Sequence, residues 1–186
     1  MTADRLERAA VEWIAPYWNA NHLLRTRDWL VELEPRAGLA LRLAALTHDI
    51  ERHFPGGPAP DPLDPEYPRR HAERSASIVH DWLERQGADE HLATEVSRLI
   101  DAHERGGWRE ADLLQAADSL SYLEVNATRP AAWVRAGVCD PSVARAKLRR
   151  TYDRIAVQAA RTAAAAMLED AERRLENALA ELVEGG

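Results

Sequence analysis

Apolar positions recur along the chain at steps of three and four almost from end to end. Leu6, Ala9, Ala10, Trp13 and Ile14 form the first such stripe, the mark of an amphipathic helix. The spacing predicts a second helix over about 20–34, ended by Pro35, and a third over 37–53 with Leu39, Leu43, Leu46 and Ile50 on one side. Further helices are predicted over about 70–85, 90–104 and 109–126, separated by Gly87 and by Gly106-Gly107. The last, over about 142–183, carries Leu148, Tyr152, Ile155, Ala159, Leu168, Leu175 and Leu182 on its stripe. No alternating run rich in β-branched residues occurs, so an all-α fold is expected. The longest break, residues 54–68, holds six of the ten prolines. A loop of that length inside a compact domain is often functional, so it is a candidate lid; a surface excursion without a role is the alternative.

With 186 residues the chain fits a single domain over 1–186, large enough to bury a core. Hydrophobic residues make up 46% and charged residues 30%, an ordinary globular mix. Acids outnumber bases by 31 to 24, and the net charge of −7 argues against a generic nucleic-acid binder, which carries a basic excess. Lys147 is the sole lysine; every other base is arginine. The single cysteine, Cys139, excludes an intrachain disulfide and a cysteine-built zinc site. No apolar run approaches the length of a membrane span, and residues 1–10 lack the apolar centre of a signal peptide, so a cytoplasmic protein is expected.

The seven histidines change the picture. His48-Asp49 closes the run Leu43-Ala44-Ala45-Leu46-Thr47-His48-Asp49-Ile50-Glu51-Arg52. Alone, such a pair is an ordinary helix terminus. Its company matters: His22 lies 26 residues before His48, His71 lies 22 after Asp49, His103 follows 32 later and Asp118 15 beyond that. All fall in segments with helical apolar stripes, and a helical bundle core can collect ligands from several facing helices. Four imidazoles and two carboxylates are a donor set suited to a pair of first-row divalent metals. Neighbouring side chains on a helix point about 100° apart, so His48 and Asp49 would reach adjacent positions, and Asp49 has two oxygens with which to bridge.

In this order and context the sequence resembles the HD-domain superfamily of metal-dependent phosphohydrolases. The family order of a histidine, the His-Asp pair, two further histidines and a closing aspartate stands here as His22, His48-Asp49, His71, His103 and Asp118. Asn21-His22-Leu23-Leu24-Arg25 is similar to the first-helix motif, and His71-Ala72-Glu73-Arg74-Ser75-Ala76 to the histidine segment after the His-Asp helix. Ile100-Asp101-Ala102-His103 resembles the fourth histidine, and Leu114-Gln115-Ala116-Ala117-Asp118-Ser119-Leu120 the closing segment. The resemblance covers roughly residues 18–155 and leaves 156–183 as a helical extension. It implies an HD-domain helical bundle with a long C-terminal helix and two divalent metal ions. His22, His48, Asp49 and Asp118 would form the basic site; His71 and His103 would add the second, with Asp49 bridging. Iron, manganese or cobalt would suit best, with zinc, magnesium and nickel as further options. Asp49 and Asp118 would be the catalytic carboxylates.

Bases gather around these positions. Arg25 and Arg74 each follow a candidate ligand by three residues, Arg70 immediately precedes His71, and Arg52 stands where the superfamily often has lysine. Lys147, spaced with Arg150 and Arg154, lies on the last helix. Arg25, Arg52, Arg70, Arg74 and Lys147 are candidates to hold a phosphate, with a solvated salt bridge as the alternative for each and the preferred one for Arg69. Ser121 shares a face with Asp118 as a candidate support. Glu51 is a candidate proton carrier, though an exposed helix-end acid is preferred. His53 is placed at the site mouth or at a helix end, His80 on the opposite face from His71, and His91 in solvent. Tyr17 and Trp18 are candidates to line a pocket, the other tryptophans core. The apolar stripe over 168–183 either pairs with a second copy of the chain or folds back on the bundle. The implied function is hydrolysis of a small anionic phosphorylated substrate, a nucleotide among the options, with no membrane or generic nucleic-acid partner. A mixed-valent diiron oxygenase cleaving a C–P or C–C bond is the alternative, and a metal-stabilised regulatory module the third reading.

Overall fold

The computed structural model describes residues 3–57 and 64–184. The elements are α1 (Ala3–Ile14), α2 (Ala20–Leu33), α3 (Leu39–Thr47), a 3-10 turn (Ile50–His53), α4 (Tyr67–Arg85), α5 (Glu90–Ala102), α6 (Arg109–Ser121), a π turn (Tyr122–Asn126), α7 (Arg129–Arg135), α8 (Pro141–Asp153) and α9 (Gln158–Glu184). Among the described residues there is no strand, as the periodicity implies. No described helix is long and apolar enough to cross a membrane.

Two apolar cores flank α6. One joins Leu6 and Ile14 of α1, Leu23 and Leu30 of α2, Leu43 and Leu46 of α3, Leu83 of α4, Ile100 of α5 and Leu114 of α6. The other joins Leu120 to Leu123, Leu148, Ile155, Ala160, Ala164, Ala171 and Leu175. Each fully buried leucine contributes roughly 1.5–3 kcal/mol. Because α6 separates the cores, every residue from Leu113 to Ser121 is buried. Its polar members must then find partners inside the protein, which is why Asp118, Ser119 and Ser121 all point at other polar groups. α9 folds back over α6, α7 and α8, which buries Ala171 and Leu175 of the C-terminal stripe.

The helix boundaries depart from expectation in four places. The third helix stops at Thr47 because the His48 ring takes the Ala45 carbonyl at 3.1 Å, the acceptor a continuing helix would offer to the Asp49 amide. Asp49 turns to φ −106°, ψ 22°, and the chain resumes as the 3-10 turn. α4 starts three residues early, at Tyr67, since Pro68 is accommodated in the first turn. α7 was not expected: Pro130 opens a helix there rather than breaking one. The single helix over 142–183 is two. Arg154 turns inward at the end of α8, and Arg161 donates to the carbonyls of Asp153 and Ile155, both at 3.2 Å. The break resets the phase, so Ala160 and Ala164 are buried while Ala159 is exposed. The Gly106-Gly107 turn after α5 has φ of 68° and 114°, and the Gly107 amide donates to Asp112 at 2.8 Å. Residues 58–63, the centre of the candidate lid, and the Leu182 side chain lie outside the described residues.

Candidate metal centre

Five segments deliver side chains to one buried cluster between the cores. His22 comes from α2, His48 and Asp49 from the end of α3, His71 from the first turns of α4, His103 from the end of α5, and Asp118 from α6. The rings form a chain: His22 to His48 at 5.4 Å, His48 to His103 at 5.0 Å and His103 to His71 at 5.1 Å between centroids. Three overlapping groups, His22–His48–Asp118, His48–Asp49–His103 and His71–His103–Glu104, each place ligand atoms within 4.8 Å of one another. His48 and His103 belong to two groups apiece, which makes the cluster continuous.

The hydrogen bonds fix what most of these rings present. His48 Nδ1–H donates to the Ala45 carbonyl at 3.1 Å, and His103 Nδ1–H to the Ile100 carbonyl at 2.6 Å. The Ser121 hydroxyl donates to the His22 carbonyl at 2.9 Å, so it accepts from His22 Nδ1–H at 2.8 Å. Each of the three therefore turns a bare Nε2 lone pair inward. Two of them meet another acceptor: Asp118 Oδ1 lies 3.1 Å from His22 Nε2 and 3.4 Å from His48 Nε2. Lone pair against lone pair is unfavourable unless a proton or a metal ion lies between. His48 Nε2, His103 Nε2 and His71 Nδ1 are buried with no hydrogen-bond partner. His71 has a carboxylate on either side, with Glu104 3.2 Å from Nε2 and Asp49 3.6 Å from Nδ1. Orphaned imidazole nitrogens beside carboxylates are the condition a divalent cation satisfies, so the donor set fits the group.

Electrostatics agree with this arrangement. Burial pushes His103 down to about 4, so its ring is neutral, the form that ligates. Burial also opposes ionisation of Asp49, Glu104 and Asp118, but Arg52 beside Asp49 and Arg154 beside the other two hold all three well below the usual carboxylate range. Burial works against a charged His48 too, but its contact with Asp118 and the nearby Asp49 raise it instead.

A family model described as HD domain matches residues 19–123. The chain belongs to the HD-domain family. The match spans His22, His48, Asp49, His71, His103 and Asp118, the whole set that the geometry gathers. HD-domain proteins form a superfamily of metal-dependent phosphohydrolases, and the His/Asp clusters of this member are suited to binding divalent metal. Neither a curated protein nor a solved structure matches the chain.

The cluster forms the base of a cavity of about 260 Å³. Of the bases singled out in the sequence, Arg52 and Lys147 line it. Arg25, Arg70 and Arg74 are not on its walls. Arg25 is drawn off by Glu124 at 2.6 Å and Glu32 at 3.0 Å, Arg70 by Asp64, and Arg74 by the Pro55 carbonyl at 2.6 Å. Arg69 pairs with Glu66 and Glu73 on the surface. Trp18 lines the cavity, whereas Tyr17 stacks on His53 at 3.8 Å. His53 bonds Asn19, whose amide reaches the Asp49 carbonyl, so it braces the His-Asp turn from outside. His80 contacts Ser97 away from the site, and His91 is exposed. Glu51 is not an exposed acid: it is buried 3.9 Å from His71, and burial raises it.

Sequence reasoning missed Glu104, Arg154, Arg129, Tyr67 and Tyr122, all on the cavity wall. For Glu104 a signal existed, since it follows His103 at a helix end as Asp49 follows His48. Arg154 ties Glu104 to Asp118 and donates to Ser119 at 2.8 Å. The π turn after α6 widens the helix where Tyr122 meets the cavity, a distortion common at functional sites.

Proposed function

We propose that this HD-domain protein is a divalent-metal-dependent phosphohydrolase acting on a small phosphorylated substrate. The observation that carries it is the set of inward, unpartnered imidazole nitrogens facing carboxylates at the base of a cavity walled by cations. His22, His48, Asp49 and Asp118 would hold one ion, and His71 and His103, with Asp49 shared, a second. Bound there, divalent ions supply Lewis acidity, lowering the pKa of water and stabilising charge that develops on phosphoryl oxygens.

The chain's own residues do the rest. Ser121, Ala45 and Ile100 hold the ring tautomers, so no reorganisation is needed when a cation binds. Asp118 stays ionised between the histidines and Arg154, which suits it to ligation rather than to proton donation. Arg52, clamped to Asp49 at 3.0 Å, places positive charge beside the phosphate position. The Tyr67 and Tyr122 hydroxyls are buried without partners on the same wall, and burial raises both, to about 12 for Tyr67. They stay protonated and available to donate to a substrate oxygen.

The donor set suits iron as well as manganese, so the oxygenase reading is tested alongside. Protein loaded anaerobically with manganese, cobalt or iron is assayed against phosphate esters and nucleotides. Anaerobic phosphate release, abolished by Asp49→Ala, is the expected result. Substrate-dependent oxygen consumption without phosphate release would replace hydrolysis by oxygenation. A metal-replete protein inactive in both arms would leave the regulatory module.

A further inference from the structure

The cavity has a second charged face that the histidine cluster does not use. Arg52, Arg129, Lys147, Arg150 and Arg154 all line it. Two are neutralised within the protein, Arg52 by Asp49 at 3.0 Å and Arg154 by Asp118 and Glu104. Arg129, Lys147 and Arg150 have no ion pair among the described residues. Arg129 instead lies over the Trp18 ring at 4.4 Å, and the Lys147 ammonium over Tyr122 at 5.0 Å. Aromatic faces steer these charges to the wall without neutralising them. Desolvation disfavours both charges, and it lowers Lys147 and Arg129 alike. A desolvated cation without an anion is costly, and cations on one wall repel each other. All three bases lie on α7 and α8, beyond the HD-domain match that ends at Leu123.

We propose that Arg129, Lys147 and Arg150 form a second anion subsite, and that the substrate is a small organic phosphate bearing a further carboxylate or phosphate on a short carbon skeleton. This rests on the reading of the histidine cluster as the seat of the first phosphate. Trp18, Trp133 and Tyr67 also line the cavity and add apolar surface, which suits a carbon skeleton. The second subsite selects the substrate; the cluster performs the chemistry.

The test is calorimetric binding to manganese-loaded protein under anaerobic conditions, using non-hydrolysable probes. Ethylphosphonate carries one anionic group; 3-phosphonopropionate adds a carboxylate and ethane-1,2-bisphosphonate a second phosphonate. Charge-assisted bonds to the second group make one of the two doubly anionic probes at least about tenfold tighter than ethylphosphonate. Which one gains identifies the second group. In Arg129→Gln and Arg150→Gln that preference collapses, ethylphosphonate binding changes far less, and manganese content does not change. Arg150 is exposed, so its replacement does not threaten the fold. A wild-type protein without the preference, or variants that keep it, overturns the subsite. Protein that holds manganese but binds no phosphonate overturns the phosphate reading itself, and protein that holds no manganese overturns the metal reading.

Discussion

Replacing Arg154 by methionine removes the guanidinium shared by Asp118 and Glu104. The arginine side chain is 16% exposed, and the two carboxylates 8% and 18%, so solvent screens the contacts little. Removing one partner of a buried ion pair costs about 3–5 kcal/mol, because the other charge stays buried and unpaired. The exposed edge of Arg154 favours the lower end, about 3 kcal/mol, for the metal-free protein. In a domain of this size each kcal/mol moves Tm by roughly 2–4 °C, so a fall of roughly 6–12 °C is expected. A divalent ion bound between His22, His48 and Asp118 restores positive charge to Asp118. Metal must therefore stabilise the variant more than the wild type. Melting both proteins by calorimetry in chelator and in excess manganese measures this directly. An unchanged Tm in chelator, or equal manganese-induced gains in the two proteins, refutes the reasoning.

Three further outcomes follow from the same geometry. Ser121→Ala removes the group that fixes the His22 tautomer, and manganese affinity should fall roughly 10–100-fold by equilibrium dialysis while secondary structure is retained. Asp49→Ala should bring phosphate release to background; persistence of activity would mean that the reacting centre lies elsewhere. In metal-free protein His103 titrates at about 4 when folded and about 6.5 when unfolded, so its contribution is complete above pH 6.5 and is lost as pH falls towards 4. That loss is on the order of 3 kcal/mol in chemical denaturation at stepped pH, and His103→Gln should flatten the slope. Asp49 and Asp118, whose folded-state values are depressed, add a further loss only below the unfolded carboxylate range, near pH 4.

The order of the candidate ligands was legible because each sits on a helix, or directly at its end, where the apolar stripe fixes the inward direction. Residues such as His48 and His103 close helices, and their rings bond the carbonyl three residues back, a local arrangement that sequence alone can suggest. What escaped is governed by contacts distant in the chain. Arg25 looked like a phosphate contact by its spacing from His22, but Glu124, 99 residues away, claims it. Arg154 breaks the last helix without glycine or proline because Asp118 and Glu104 pull it inward. Glu51 sits at the end of an amphipathic run where exposure is the usual outcome, yet α4 covers it. Part of the cavity wall was hidden for the same reason: Lys147 was a phosphate candidate by its spacing, but Arg129 of α7 joins it only because the chain folds back.

Metal content of purified, reloaded protein, measured by mass spectrometry with its variants, tests the centre most directly. His48 is absent from the His71–His103–Glu104 group, and His103 from the His22–His48–Asp118 group. Wild-type protein should carry about two divalent ions per chain, His48→Ala and His103→Ala about one each, and the double variant essentially none. A wild-type chain that stays metal-free after loading, or one whose content is unchanged by His48→Ala, would contradict a metal centre at these residues.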